Sequence, residues 1–169
     1  MLFRSFSDDI ETVEVFFANN QILFRSEHIS FYTRLLEGNY PDTDRLIPTE
    51  FNTEATFNVA NLRFAMERAR LLSNATQNGT VKLEFKNGVV SSHVHSPEVG
   101  RVNEEIDTSA VSGEDLSISF NPTYLIEALK AIDSEQVVIR FISSVRPFTL
   151  VPEGNEQGFI QLITPVRTN

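Results

Sequence analysis

Phe57-Asn58-Val59-Ala60-Asn61-Leu62-Arg63-Phe64-Ala65-Met66 returns sixty-three residues further on as Phe120-Asn121-Pro122-Thr123-Tyr124-Leu125-Ile126-Glu127-Ala128-Leu129. Phe, Asn, Leu and Ala recur at the same spacing, and Met66 is answered in kind by Leu129. The residues downstream of each copy also match. Val81-Lys82-Leu83-Glu84-Phe85 is echoed by Val137-Val138-Ile139-Arg140-Phe141, and both lead into a turn and further alternating segments. A unit repeated within a chain is usually one supersecondary element that shares a core with its twin. Here the unit reads β-α-β-β-β, which predicts an α+β fold with two helices on one face of antiparallel sheets.

In the first copy Ala55–Phe57 reads as a strand and Asn58 as the cap of a helix running to about Leu72. Val59, Leu62, Met66, Ala69 and Leu72 make a core stripe at helical spacing, with Arg63, Glu67 and Arg70 opposite it. Val81–Phe85 and Val89–His95 read as strands joined by Lys86-Asn87-Gly88, whose Asn-Gly pair is the signature of a tight hairpin. A polar loop ending in Asn78-Gly79 precedes them, and a charged edge or interface strand, Val99–Ile106, comes after. In the second copy Leu116–Phe120 is a strand, Asn121 a cap and Pro122 the first helical residue, where its missing N–H costs nothing. That helix is expected to reach about Ile132, followed by strands at 136–142, 147–151 and 159–164.

Before the repeat, Thr12–Phe17 and Gln21–Ser26 flank the turn Ala18-Asn19-Asn20 as a hairpin, and Ile29–Leu36 reads as a third strand. The turn-rich Glu37–Asp42 is the candidate boundary. Three strands bury little by themselves, so residues 1–44 read as the tail of a domain, and 45–169 as a complete one.

Apolar residues make up 41% and charged residues 22% of the 169, ordinary values for a globular protein. No apolar run approaches the ~18 residues of a membrane span, and Met1–Phe6 lacks the apolar stretch of a secretory leader. The absence of cysteine excludes disulfides, thiolate metal sites and cysteine nucleophiles, and suits a reducing cytoplasm. A net charge of -9 argues against coating nucleic acid with the whole surface. Acidic residues gather between Glu98 and Asp115, and Arg63, Arg68 and Arg70 gather on the first helix. Charge alone reads both as solvated faces.

No pattern for catalysis or for a cofactor is present. There is no Walker or Rossmann glycine loop and no G-x-S-x-G elbow. Adjacent Glu104 and Glu105 on a strand point to opposite faces and cannot share a substrate. His93-x-His95 shares one face, but no acidic cluster stands at a diagnostic spacing, so surface histidines are expected and no metal.

Several stretches resemble a known family in order and spacing. They are Arg34-Leu35-Leu36-Glu37-Gly38-Asn39-Tyr40-Pro41-Asp42, Arg45-Leu46-Ile47-Pro48, Leu71-Leu72-Ser73 and Phe120-Asn121-Pro122-x-Tyr124-Leu125. Arg146-Pro147-Phe148 and Thr164-Pro165-Val166-Arg167 complete the set. Together, across residues 8–169, they are similar to the bacterial sliding clamp, the beta subunit of DNA polymerase III. The Arg-Pro-Phe and Pro-Val-Arg-Thr forms are of the low-GC Gram-positive, streptococcal-like type.

The resemblance implies a DNA-clamp fold, with residues 1–44 the end of the middle domain and 45–169 the last domain. It implies a non-catalytic processivity factor, two subunits of which form a ring that slides on duplex DNA without reading sequence. Polymerase activity then belongs to the holoenzyme. Arg63, Arg68, Arg70 and Lys130 are the candidates for facing DNA, or else ordinary exposed residues pairing along the helix with Glu67.

The resemblance also implies a cleft that takes short apolar-anchored peptides of the polymerase III alpha subunit, the clamp loader and repair proteins. Its candidate residues are Pro41, Arg45, Leu46, Asn121, Tyr124, Val145, Pro147, Leu162, Ile163, Thr164, Pro165, Val166 and Arg167. Leu162 and Ile163 can equally be core, and Asn121 can be a cap and nothing more. Leu71, Leu72, Glu104 and Glu105 correspond to the ring seam, although an acidic edge also discourages wrong strand pairing. With the first domain and most of the second not in this sequence, the chain is expected not to close a ring alone, and its cleft to be partial. The competing expectations are a stand-alone peptide-binding α+β module without a DNA role, and a small hydrolase with an unrecognised site.

Overall fold

The computed structural model describes residues 11–39, 42–43, 45–73, 79–96, 100–154 and 158–167. The chain forms two compact units, Met1–Asp42 and Thr43–Asn169. In the first, β1 (Glu14–Phe17), β2 (Gln21–Arg25) and β3 (Ser30–Arg34) form an antiparallel sheet in chain order. None of its described residues is buried, and Phe17, Tyr32 and Leu36 stand well exposed. The hairpin is held by a cross-strand ion pair: Arg25 reaches Glu14 at 2.8 Å and lies 4.8 Å from the ring centre of Phe16.

The second unit contains both copies of the repeat. The first copy is β4 (Thr53–Asn58), α1 (Val59–Ser73), β5 (Val81–Lys86), β6 (Val89–Ser96) and β7 (Gly100–Ile106). After β8 (Ala110–Gly113), the second is β9 (Leu116–Phe120), α2 (Pro122–Lys130), β10 (Gln136–Phe141), β11 (Phe148–Pro152) and β12 (Gln161–Ile163). The sheets run β12-β11-β10-β4-β8 and β7-β6-β5-β9, so each copy lends its first strand to the other's sheet.

The exchange is in matching register. Phe57 faces Val137 and Thr53 faces Phe141, while Phe120 faces Val81 and Leu116 faces Phe85. Phe57 and Phe120, the equivalent phenylalanines of the two copies, and their valine partners are fully buried. Where the sheets meet, Phe85 packs on Phe141 at 4.9 Å between ring centres. Phe148 lies 5.1 Å from Phe141 and 5.2 Å from Phe120. Two rings come from each sheet, so this cluster ties the copies into one core. Tilted and edge contacts at these separations add to what burial alone contributes.

Both helices start as their sequences require. Asn58 Oδ1 accepts from the Asn61 N–H at 3.0 Å, and Asn121 Oδ1 from the Thr123 N–H at 2.9 Å. The helices pack on each other, and α1 also covers β6 and β7. The Asn87-Gly88 turn has both residues at positive φ, 53° and 78°, as a type I′ hairpin demands.

Some boundaries differ from expectation. Helix α2 ends at Lys130, because Ala131 and Ile132 donate three residues back, to Ala128 and Leu129, in a tightened last turn. Ile132 nevertheless stays buried. Strand β12 is only Gln161–Ile163, shorter at both ends than expected. Strand β8 is not signalled by the sequence: it is short and largely exposed, and it is stabilised by pairing Ala110–Gly113 with Thr56–Thr53 rather than by an apolar pattern of its own. Gly113 has φ 100°, and a Cβ there would lie 2.0 Å from the Asn52 carbonyl oxygen. Pro41 at the junction, Asn78 at the loop end and Val99 at the start of the edge strand lie outside the described residues. No helix among the described residues is long and apolar enough to cross a membrane.

Candidate functional site

Tyr124 lies in the first turn of α2, one turn before Glu127 and Ala128 on the same face. That face looks onto the last strand. Tyr124, Glu127 and Ala128 from the helix, with Gln161, Leu162, Ile163 and Thr164 from β12 and its exit, line a shallow groove of about 380 Å³. Tyr124 is 61% exposed, so its ring is available to a ligand rather than committed to the core. Ile163 is buried and forms the floor, pairing with Phe148, whereas Leu162 is half-buried and Thr164 exposed. Ile163 is therefore both core and groove.

Past the strand, the Val166 N–H donates to the Ser119 carbonyl at 2.7 Å. This bond ties the terminal segment to the end of β9, two residues before the Asn121 cap. Tail, cap and groove are thus parts of one local arrangement. Asn121 spends its side-chain oxygen on Thr123, which makes it first a cap. Pro165 and Val166 are half-buried, and Arg167 is exposed.

Val145 is exposed and Pro147 half-buried in the β10–β11 connection, and neither lines the groove. Arg45 and Leu46 sit in a turn closed by the Leu46 N–H to the Thr43 carbonyl, with Leu46 exposed. Glu127 and Gln161 were missed by the sequence reading. Their signal was present, since Glu127 stands three helical positions after Tyr124 and Gln161 adjoins Leu162.

The basic candidates divide by partner. Arg63 is half-buried, its Nε 3.8 Å from Glu67 and its guanidinium 5.3 Å from the centre of the Phe64 ring. Arg68 is held by Glu104 of β7: its Nε lies 3.3 Å from one carboxylate oxygen and its terminal nitrogen bonds the other. These hydrogen bonds hold its pKa above the ordinary arginine value. Lys130 pairs with Glu127 at 3.0 Å. Arg70 is half-buried in the last turns of α1.

A candidate for DNA and a candidate for the seam are therefore joined to one another, Arg68 to Glu104. Glu105, on the opposite face of β7, is exposed. Leu71 is 73% exposed, while Leu72 packs against the core.

His93 has both ring nitrogens engaged, with Asn103 Oδ1 and Ser91 Oγ each at 2.8 Å, and Glu84 at 3.5 Å from Nε2. This is a cross-strand hydrogen-bond network on the sheet face. Among the described residues no three His, Asp or Glu side chains are grouped as a metal would require.

Residues 44–167 match the family model for the DNA polymerase III beta subunit, C-terminal domain. A beta sliding clamp of Streptococcus pneumoniae is 80% identical over 164 residues, covering 97% of this chain and 43% of that relative. The crystal structure of the DNA polymerase III beta chain from the same species matches with TM-score 0.91 and 78% identity, over 99% of this chain and 44% of the other. A DNA polymerase sliding clamp from Bacillus subtilis matches with TM-score 0.88 and 37% identity, again over 99% of this chain and 44% of the other. The chain thus spans less than half the length of these relatives. It belongs to the DNA polymerase III beta subunit family.

Proposed function

We propose that the chain works as part of a processivity factor: it captures apolar-anchored peptides in the α2–β12 groove and contributes helices to a wall that faces duplex DNA. The observation that carries the proposal is the convergence of Tyr124, Leu162, Ile163 and Thr164 on one groove, with the tail fixed beside it by Val166. A concave, mostly apolar site with an exposed aromatic and a few polar atoms suits an extended or turned peptide. Arg45, Leu46, Val145, Pro147 and Arg167 are proposed to extend the contact surface. The partners are the polymerase III alpha subunit, the clamp loader and other proteins that carry such a peptide.

The DNA role is non-catalytic and independent of sequence, and the proposed compartment is the cytoplasm. Arg63 and Arg70 are the stronger candidates for phosphate contacts, because Arg68 and Lys130 are each held by a carboxylate at hydrogen-bond distance. In the full-length protein two subunits are proposed to close a ring, with Leu71 and Glu105 at the seam. Few phosphate contacts give weak, salt-sensitive binding, which is what sliding requires.

A fluorescein-labelled peptide from a polymerase III alpha-subunit tail, titrated by anisotropy, tests the groove. Wild type should bind saturably. Tyr124→Ala should weaken binding about tenfold, as loss of an aromatic anchor does, and removal of residues 164–169 should abolish it. Equal behaviour of all three proteins would place the peptide elsewhere.

A further inference from the structure

Among the described residues that line the groove, Tyr124, Ala128, Leu162 and Ile163 supply apolar surface and Glu127 is the one charged side chain. Its carboxylate is oriented from one side: Lys130, one turn along the helix, reaches Oε1 at 3.0 Å, and both side chains remain about half exposed or more. A carboxylate fixed in this way at the rim of an apolar slot is an acceptor for a cation beside whatever fills the slot. Gln161, on the opposite wall, donates its side-chain N–H to the Leu162 carbonyl at 3.3 Å and adds no charge. The chain as a whole carries -9, while Arg45 and Arg167, proposed to extend the contact surface, oppose that sign away from Glu127.

We infer that Glu127 selects among peptide partners, favouring those in which a lysine or arginine flanks the apolar anchor and disfavouring those with an acidic flank. The inference rests on the peptide-capture reading and adds the charge of the partner to it. Lys130 is the opposing element. By sharing the carboxylate it moderates the preference, so the helix pair sets how strongly charge counts. An exposed pair is weak and is screened by salt, so discrimination is graded rather than absolute.

Three versions of one labelled polymerase-tail peptide test this, differing only in a flanking residue, Lys, Ala or Glu, placed in turn on either side of the anchor. At about 20 mM salt, where screening is slight, the full chain should bind a Lys version about threefold or more tighter than its Glu counterpart. The ratio should shrink towards one at about 0.5 M salt. Because net charge alone could favour basic peptides, the decisive comparison is Glu127→Gln, which removes one charge and keeps the shape. It should erase most of the ratio, and Lys130→Met should enlarge it.

An equal ratio in wild type and Glu127→Gln overturns the inference while leaving peptide capture intact. Failure of all three versions to bind, the Ala version included, overturns both. Thermal melts of both variants close to wild type exclude misfolding, since both side chains lie on the surface.

Discussion

The two copies of the repeat place a helix against an edge strand in equivalent positions, α1 by β7 and α2 by β12, yet one crevice is bridged and the other is open. In the first copy Arg68 crosses from the helix to Glu104 on the strand. The position matching Arg68 in the second copy is Ala131, which cannot reach across. Asn61 and Phe64 stand where the second copy has Tyr124 and Glu127. Strand β7 runs seven residues, while β12 is three and gives way to the tail. Duplication thus supplies the scaffold, and divergence at a few surface positions leaves one crevice bridged and the other open.

The comparison can be broken at its shared base first. Phe141→Ala removes the ring that contacts both Phe85 and Phe148, so it should weaken both copies together. A loss of about 3–5 kcal/mol is expected from a fully buried phenylalanine, read from the midpoint of a urea melt. Two separate transitions in place of one destabilised transition would mean that the copies do not share a core.

Gly113→Ala probes β8, the short strand between the two copies. The substitution must relieve both a positive φ and a Cβ placed against the Asn52 carbonyl. About 2 kcal/mol of destabilisation is expected, again by urea melt, with peptide binding unchanged because β8 and β12 are opposite edges of the five-stranded sheet. A neutral effect would show that β8 contributes nothing to the sheet.

The smallest effect belongs to the bridge itself. Arg68→Met keeps the aliphatic stem and removes the pair, and should cost less than about 1 kcal/mol because the guanidinium is exposed. A cycle with Glu104→Gln isolates the coupling. Zero coupling would reduce the bridge to a surface contact and leave shape alone to separate the crevices.

Much of this was legible in the residues. The Phe-Asn-x3-Leu-x2-Ala repeat carries both helix starts, and each Asn does cap its helix. The Asn87-Gly88 pair declares its turn. Tyr124 and Leu162–Thr164 were identified through family resemblance, and those four candidates do line one groove. The exchange of first strands was not legible, because Phe57 and Val137 are far apart in sequence and either sheet satisfies the same apolar alternation. The Arg68–Glu104 pair was hidden for a related reason. Only tertiary packing brings α1 over β7. Strand β8 has too few apolar residues to announce itself, and is defined by the partner it meets.

The most direct measurement tracks amide chemical shifts of the isotope-labelled chain as the unlabelled polymerase-tail peptide is added. Shifts should concentrate at Tyr124, Glu127, Leu162–Thr164 and Val166, with Asn61, Phe64 and Glu104 in the bridged crevice left unmoved. Equal shifts in both crevices, or shifts confined to α1 and β7, would contradict the account.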